Sequence, residues 1–186
     1  SKYTTYKVGG KARAIIYPKD RRCLVELCKL IKTYHIKYKI LGNGSNLLFS
    51  DKLYDGVLIK LDEFDKIEFV RNKVICGAGA SLMKVAREAM KRSLAGLEFA
   101  SGIPGTIGGA IYMNAGAYKS DMGYITTNVT VLTDDLKIIT LTNSEMDFHY
   151  RSSYLQKHKD YICLEAVLKL TKGDKKEIEA ITKERR

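Results

Sequence analysis

Glycine and small polar residues cluster directly after a strand-like stretch in the first third of the chain. The cluster consists of Leu41, Gly42, Asn43, Gly44, Ser45 and Asn46. Glycines after a strand let backbone N–H groups approach an anion, and Asn and Ser side chains add hydrogen bonds. The cluster is not a Rossmann fingerprint, because Leu47 stands where the third glycine would be, nor a P-loop, because it lacks the Gly-Lys-Ser/Thr sequence. Two interpretations stay open: an anion-binding turn and a plain Asn-Gly turn between strands.

A longer glycine-rich segment spans residues 96–116 and contains six glycines. Ile, Pro, Tyr and Met residues interrupt it, so it is not a flexible linker. It predicts a compact surface on which a flat, phosphate-bearing molecule lies against the backbone. The alternative, a glycine-rich helix packed closely on a sheet, accounts for Gly108 and Gly109 but not for the whole segment. The candidate binding residues are Ser101, Gly102, Ile103, Pro104, Gly105, Gly108, Gly109, Asn114, Ala115, Gly116 and Ala117.

Arg151 is the third candidate, because aromatic and small hydroxyl residues flank it on both sides. An arginine in such a setting can present a fixed guanidinium to a carboxylate or an enolate. Taken alone, residues 149–153 favour the plainer interpretation of a surface arginine on a basic protein.

Cysteine and histidine spacing predicts no metal site. The four cysteines contain no Cys-x-x-Cys pair, and the three histidines have no ligand spacing with each other or with cysteine. Cys23, Cys28, Cys76 and Cys163 are expected to be free thiols that behave as small buried hydrophobic residues, as suits a reducing compartment.

Residues 1–61 are predicted to form a first lobe of β-α-β-β type that positions the glycine-containing cluster at residues 41–46. Strands are expected at residues 12–17, 38–41 and 56–59, with a further short strand at 47–49. Between the first two strands, Asp20 is expected to cap a helix. Its apolar residues recur at helical spacing and are Cys23, Leu24, Leu27, Cys28, Leu30 and Ile31. A lobe of this size is too small for a stable core of its own.

Residues 62–173 are predicted to form a second lobe that carries the glycine-rich segment. A hairpin around Arg71 and Asn72 is followed by a strand-to-helix turn at residues 77–80 and a helix capped by Ser81. The expected strands are residues 67–70, 74–76, 129–132, 138–141 and 162–168. Asp174 then opens a helix over residues 175–186 that reaches the last residue without a closing glycine, so the chain is interpreted as a fragment of a longer protein.

Composition places the chain among globular proteins, with 45% hydrophobic and 28% charged residues. No apolar run approaches the ~18 residues of a membrane span, so no membrane partner is expected. The net charge of +11 comes from lysines scattered along the chain. Because a nucleic-acid footprint needs clustered basic residues, no nucleic-acid partner is expected. The charge instead suits attraction of a nucleotide cofactor or a nucleotide-sugar.

Taken together and in order, these segments resemble the UDP-N-acetylenolpyruvoylglucosamine reductase family. The matching stretches are Thr4, Thr5 and Tyr6, then residues 8–12, 41–46, 96–110, 113–118, 150–153 and 184–186. The resemblance implies an α+β fold, a two-lobed FAD-binding domain of the vanillyl-alcohol-oxidase (PCMH) type. It further implies that residues 42–46 hold the pyrophosphate of FAD. Residues 101–105 and 114–117 would line the adenine and the isoalloxazine.

The resemblance also implies a reaction in peptidoglycan synthesis, and with it roles in cell wall biogenesis, cell shape and cell division. NADPH would pass a hydride to the flavin, and the reduced flavin would pass it to the enolpyruvyl ether of a UDP-sugar substrate. Arg151 would stabilise the enolate-like intermediate. A monomeric, cytoplasmic protein is expected.

The family's proton-donating serine and catalytic glutamate lie in a C-terminal substrate-binding domain, which these residues do not include. Residues 174–186 would lead into that domain, and this chain is expected to be inactive alone. The main alternative is a stand-alone, non-catalytic module that binds flavin or nucleotide. A flavin oxidase with covalently attached FAD is disfavoured, because neither glycine-rich segment contains His or Cys.

Overall fold

The structure, a computed structural model, describes residues 9–185 and has an α+β fold. Thr4, Thr5, Tyr6, Val8 and Arg186, which belong to the resemblance, lie outside the described residues. The elements in order are β1 (Ala12–Ile16), α1 (Arg21–Thr33), β2 (Tyr38–Ile40), β3 (Tyr54–Ile59), β4 (Ile67–Val70), β5 (Lys73–Gly77), α2 (Leu82–Lys91), β6 (Leu94–Ala95), a 3-10 turn (Glu98–Ala100), α3 (Ile107–Met113), β7 (Gly116–Ala117), β8 (Ser120–Asp121), α4 (Met122–Ile125), β9 (Thr126–Leu132), β10 (Ile138–Thr142), α5 (Tyr154–Lys157), β11 (Ile162–Lys169), β12 (Thr171–Lys172) and α6 (Lys175–Glu184).

The first sheet contains three strands in the order β1-β3-β2, and both pairs are parallel. The expected helix follows β1, and the Asp20 carboxylate accepts a hydrogen bond from the Cys23 N–H, as an N-cap does. Leu24, Cys28 and Ile31 form its buried face. The expectation that Cys23 is buried was wrong, since Cys23 is exposed; Leu30 is 54% exposed as well. Positions 23 and 30 lie on the solvent side of α1, because the buried residues are spaced four and three apart.

The strand expected at residues 47–49 does not form. Leu48 is 84% exposed, and this segment does not take part in either ladder of the first sheet. Close by, the Gly10 N–H donates to the Ser50 carbonyl at 2.8 Å, but no regular pairing continues from it. An apolar run forms a strand only where a partner strand lies beside it, and the sequence pattern alone does not show whether one does.

The second sheet contains five antiparallel strands in the order β10-β9-β11-β5-β4. The hairpin of β4 and β5 forms as expected, with Arg71 at φ 56 in its turn. The Ser81 hydroxyl accepts from the Lys84 N–H and caps α2, also as expected. Helix α3 packs against β11.

A single core connects the two sheets. Leu24 and Ile31 of α1 belong to the same buried cluster as Val74 of β5 and Leu164 of β11. At the surface, the Tyr38 hydroxyl donates to the Asp160 carboxylate at 3.4 Å, across the same junction. The division into lobes at residues 61 and 62 stays a proposal.

The last helix, α6, begins after Asp174, whose carboxylate accepts from the Glu177 N–H. It ends at Glu184 and not at residue 186 as expected, because Arg185 serves as its C-cap. The Arg185 guanidinium lies 5.1 Å from the centroid of the Tyr118 ring, and this contact joins the end of α6 to the β7–β8 hairpin. Among the helices of residues 9–185, none is long and apolar enough to cross a membrane.

Candidate functional site

The Gly42 turn, residues 42–46, lies at the carboxyl edge of the first sheet. Ile40 of β2 pairs with Ile59 of β3, so both strands end side by side. Leu41 is buried, and its N–H donates to the Ile59 carbonyl at 2.9 Å. Because β2 and β3 are parallel, residues 42–46 do not close a hairpin between these two strands. Carboxyl edges of parallel strands are common positions for ligands.

Two glycines give the turn its shape. Gly44 has a φ of +62°, which L-residues with a Cβ rarely adopt. A Cβ on Gly42 would lie 2.6 Å from Oγ1 of Thr106. The turn therefore depends on glycine at position 42 to approach Thr106 this closely. Asn43 and Asn46 are exposed, and Ser45 is half-buried.

The glycine-rich segment meets the Gly42 turn directly. A Cβ on Gly105 would lie 3.6 Å from the Ser45 Oγ, in ordinary contact. Gly102 and Pro104 are exposed beside it, and Ile103 is half-buried. Ser101 is buried, and its hydroxyl donates to the Glu98 carbonyl at 2.9 Å. The structure therefore brings residues 101–105 and 42–46 together at one edge.

The turn at residues 77–80 supports the glycine-rich segment. The Ile107 N–H donates to the Ala80 carbonyl at 2.9 Å, and the Gly108 N–H donates to the Ala78 carbonyl at 2.8 Å. A Cβ on Gly108 would come within 3.0 Å of the Ala78 Cβ, so close packing accounts for this glycine. Gly109 is exposed, and its N–H donates to Thr106 Oγ1 at 3.3 Å, which caps α3.

Asn114 ends α3 in the left-handed conformation, with φ 43° and ψ 57°. Its side chain is buried, and the Nδ2 group donates to the His149 carbonyl at 2.8 Å. Its Oδ1 accepts from the Gly123 N–H at 2.8 Å. The amide is therefore used inside the protein, where it connects α3, α4 and the segment that carries Arg151. Ala115 is buried, while Gly116 and Ala117 form the half-buried strand β7.

Arg151 lies in a tight turn, residues 149–152, closed by two backbone hydrogen bonds between His149 and Ser152. Its φ is 54°, its side chain is exposed, and its guanidinium lies 5.7 Å from the centroid of the Tyr150 ring. Gln156 Nε2 donates to the Arg151 carbonyl at 2.8 Å and to the Tyr112 carbonyl at 3.0 Å. The turn is thus held against the C-terminal end of α3, next to Asn114.

An ion cluster beside this turn holds it from the other side. Hydrogen bonds from Lys157 and then His149 hold the pKa of Asp147 below its ordinary value. The Lys157 Nζ lies 2.7 Å and the His149 Nε2 2.9 Å from the Asp147 carboxylate. The group is exposed, so it restrains the backbone of the turn more than it stabilises the fold.

Sequence reasoning missed two residues of this site. Lys60 is buried at the end of β3, and its Nζ donates to the Gly42 carbonyl at 3.0 Å. Thr106 is buried between Gly42 and α3. Lys60 follows a predicted strand as directly as Gly42 does, and this shared carboxyl edge was the available signal. Thr106 lies inside the glycine-rich segment and the matching stretch 96–110, but it was not among the candidate binding residues.

A cavity of about 880 Å³ adjoins the Gly42 turn at Leu41. Ile15 and Leu58 of the first sheet line it, together with Phe49 and Tyr54. No residue of the glycine-rich segment lines it, so the cavity and the contact between the two glycine-containing segments are separate features.

Comparison with known proteins gives a consistent result. Residues 12–142 match the family described as "FAD binding domain". UDP-N-acetylenolpyruvoylglucosamine reductase 1 of Bacillus cereus is 45% identical over 179 residues, which is 96% of this chain and 60% of that protein. The reductase of Halalkalibacterium halodurans is 47% identical over 177 residues, which is 95% of this chain and 58% of that protein.

A solved structure shows the same fold. The crystal structure of UDP-N-acetylenolpyruvylglucosamine reductase (MurB) from Thermus caldophilus superposes with a TM-score of 0.84 at 33% identity. The match covers 98% of this chain and 64% of that one. The chain therefore spans about three-fifths of the length of these relatives.

Proposed function

This chain belongs to the FAD binding domain family, and we propose that it is the FAD-binding part of a UDP-N-acetylenolpyruvoylglucosamine reductase. The observation that carries the proposal is the meeting of two glycine-containing segments at the carboxyl edge of a parallel sheet. A Cβ on Gly42 would overlap Thr106, and Gly44 has a positive φ. Close packing of Gly42 on Thr106 and the left-handed backbone of Gly44 shape this turn, and the backbone N–H groups of such a turn suit a phosphate group.

Residues 42–46 would hold the pyrophosphate of FAD. Residues 101–105 would continue this surface, since Gly105 lies next to Ser45: a Cβ on Gly105 would lie 3.6 Å from the Ser45 Oγ. Together with residues 114–117, they would line the adenine and the isoalloxazine. Gly108 contributes by letting α3 approach Ala78, and Asn114 by holding the end of α3 in place.

Bound FAD would supply a store for the hydride that NADPH donates and that the enolpyruvyl ether of the UDP-sugar finally receives. In the hydride transfer to the substrate, the contribution of this chain's own residues would be electrostatic. Arg151 presents an exposed guanidinium on a turn held by Asn114 at the end of α3 and by Gln156 of α5, and would face the substrate carboxylate as negative charge develops there. The proposed product, UDP-N-acetylmuramate, places the protein in peptidoglycan synthesis in the cytoplasm.

Two half-reactions test this proposal. With the full-length protein and bound FAD, NADPH is expected to bleach the flavin, and anaerobic addition of UDP-N-acetylglucosamine enolpyruvate is expected to restore the oxidised spectrum. The 186-residue chain alone is expected to show bleaching at best, because a positioned acid contributes about 10²–10⁴ in rate and substrate positioning is also absent.

Restoration of the oxidised spectrum by the chain alone, with the lactyl ether found by mass spectrometry, would show that the essential acid lies within these residues. Failure of the full-length protein to reoxidise with substrate would favour a non-catalytic flavin-binding module instead.

A further inference from the structure

Lys60 is a buried lysine that the proposed binding residues do not explain. It is 7% exposed, whereas lysine is one of the residues least often buried. Its Nζ lies 3.0 Å from the Gly42 carbonyl and 3.2 Å from the Asp62 carboxylate. The Asp62 side chain is 47% exposed, so the ion pair lies between the interior and the solvent.

Stability alone is a weak reason for this arrangement. Moving an ammonium group out of water costs desolvation free energy. An ion pair offsets this cost only when its geometry is excellent and the remaining hydrogen bonds of the charged groups are satisfied. A carboxylate that is about half exposed to solvent, as that of Asp62 is, offsets little of this desolvation cost. A hydrophobic side chain of similar length would fill the same space without it.

The hydrogen bond from Lys60 to the Gly42 carbonyl bears on anion binding at the turn. A carbonyl oxygen is negative, so an anion is repelled by any carbonyl of the turn that faces it. The hydrogen bond from Lys60 holds the Gly42 carbonyl toward Nζ and adds a positive charge beside it. In a partly buried position this charge acts more strongly than a surface charge would.

We propose that Lys60 is a positioning residue for the dinucleotide: it fixes the Gly42 carbonyl away from the phosphates and makes the floor of the Gly42 turn positive. The inference rests on the proposed function, since it requires that FAD binds at residues 42–46. Lys60 acts through the turn and has no part in hydride transfer.

The test compares FAD dissociation constants for the wild-type protein and three variants at several NaCl concentrations. Lys60→Met keeps the length of the side chain and removes the charge. It is expected to weaken FAD binding about 10- to 100-fold, the range for loss of a hydrogen bond to a charged group, and to reduce the salt dependence. Lys66→Met is the matched control, because Lys66 is an exposed lysine in the same connection between β3 and β4 and forms an ion pair with Glu68. This variant is expected to leave the FAD dissociation constant unchanged.

Asp62→Asn separates positioning from simple ion pairing. If Lys60 serves the dinucleotide, removing the competing carboxylate leaves FAD binding unchanged or tighter. The proposal would be overturned if Asp62→Asn weakened FAD binding as much as Lys60→Met does. It would also be overturned if the FAD dissociation constant of Lys60→Met lay within twofold of the wild-type value. Since Asp62 is exposed, this variant is expected to fold even where Lys60→Met does not; in that case tighter FAD binding by Asp62→Asn supports the proposal, and unchanged or weaker binding overturns it. Absence of FAD binding by the wild type would instead refute the proposed function.

Discussion

Arg151 illustrates what a single residue contributes at this site. Its backbone is in the left-handed region, which costs a non-glycine residue about 1–2 kcal/mol. The cost is offset by the two hydrogen bonds that close the turn and by the Gln156 side chain on its carbonyl. The result is an exposed guanidinium on a restrained backbone.

Arg151→Ala is expected to slow reduction of the enolpyruvyl substrate about 10²–10³-fold, as loss of one electrostatic donor typically does. Flavin reduction by NADPH should change little, because the charge that Arg151 stabilises develops only in the second half-reaction. Stopped-flow measurement of each half-reaction in the full-length protein checks this.

Arg71→Ala is the matched control, since Arg71 is also exposed and has a φ of 56° in the β4–β5 hairpin. It should leave both rates unchanged. Equal slowing of both half-reactions by Arg151→Ala would argue that Arg151 is structural.

Single residues also show the limit of sequence reasoning. Gly42 and Gly44 were predictable as special backbone positions, because their neighbours favour turns. Lys60 was not identified: its place directly after a predicted strand was a signal, but the sequence alone does not show that this lysine, unlike the scattered exposed ones, is buried. Its burial depends on β2 and β3 ending side by side, which is a tertiary property.

At the scale of elements, the C-terminal end of α3 organises the site. Asn114, Tyr112 and the turn at residues 149–152 meet there through side-chain to backbone hydrogen bonds. The short helix itself is held by the turn at residues 77–80, so a segment of little apparent importance in the sequence positions the glycine-rich segment.

Asn114→Ala should lower the free energy of unfolding by about 1–3 kcal/mol, because the half-buried Gly123 N–H loses its partner and the His149 carbonyl loses one of its two donors. Asn114→Gly should be less destabilised, since glycine accepts the left-handed conformation without a Cβ. Urea denaturation of both variants measures the difference.

Both Asn114 variants should also slow the second half-reaction more than the first, because the turn that carries Arg151 is released from α3. Wild-type rates in a folded Asn114→Gly variant would show that this amide does not position Arg151.

Helices and hairpins were predictable where local signals agreed with the final packing. Asp20, Ser81 and Asp174 cap their helices as their sequence context indicates. The strand expected at residues 47–49 was wrong, because apolar residues there remain exposed beside the turn. A local pattern carries no information on whether a partner strand is present.

At the scale of the molecule, one core joins a parallel and an antiparallel sheet, and the candidate site lies where they meet. The net charge of +11 favours approach of an anionic ligand from any direction. Specificity must therefore come from the backbone shape at Gly42 and Gly105, which charge alone does not provide. The resemblance identified both segments, but their contact through Thr106 and Ser45 became visible only in the fold.

Equilibrium titration of the 186-residue chain with FAD, followed by flavin fluorescence, tests the central claim most directly. We expect saturable quenching and complete release of the flavin on denaturation, because the attachment is non-covalent. Gly42→Val should abolish saturation, since its side chain would overlap Thr106. Absence of quenching at every attainable concentration of FAD, in a chain shown to be folded by circular dichroism, would contradict the assignment of this site to flavin.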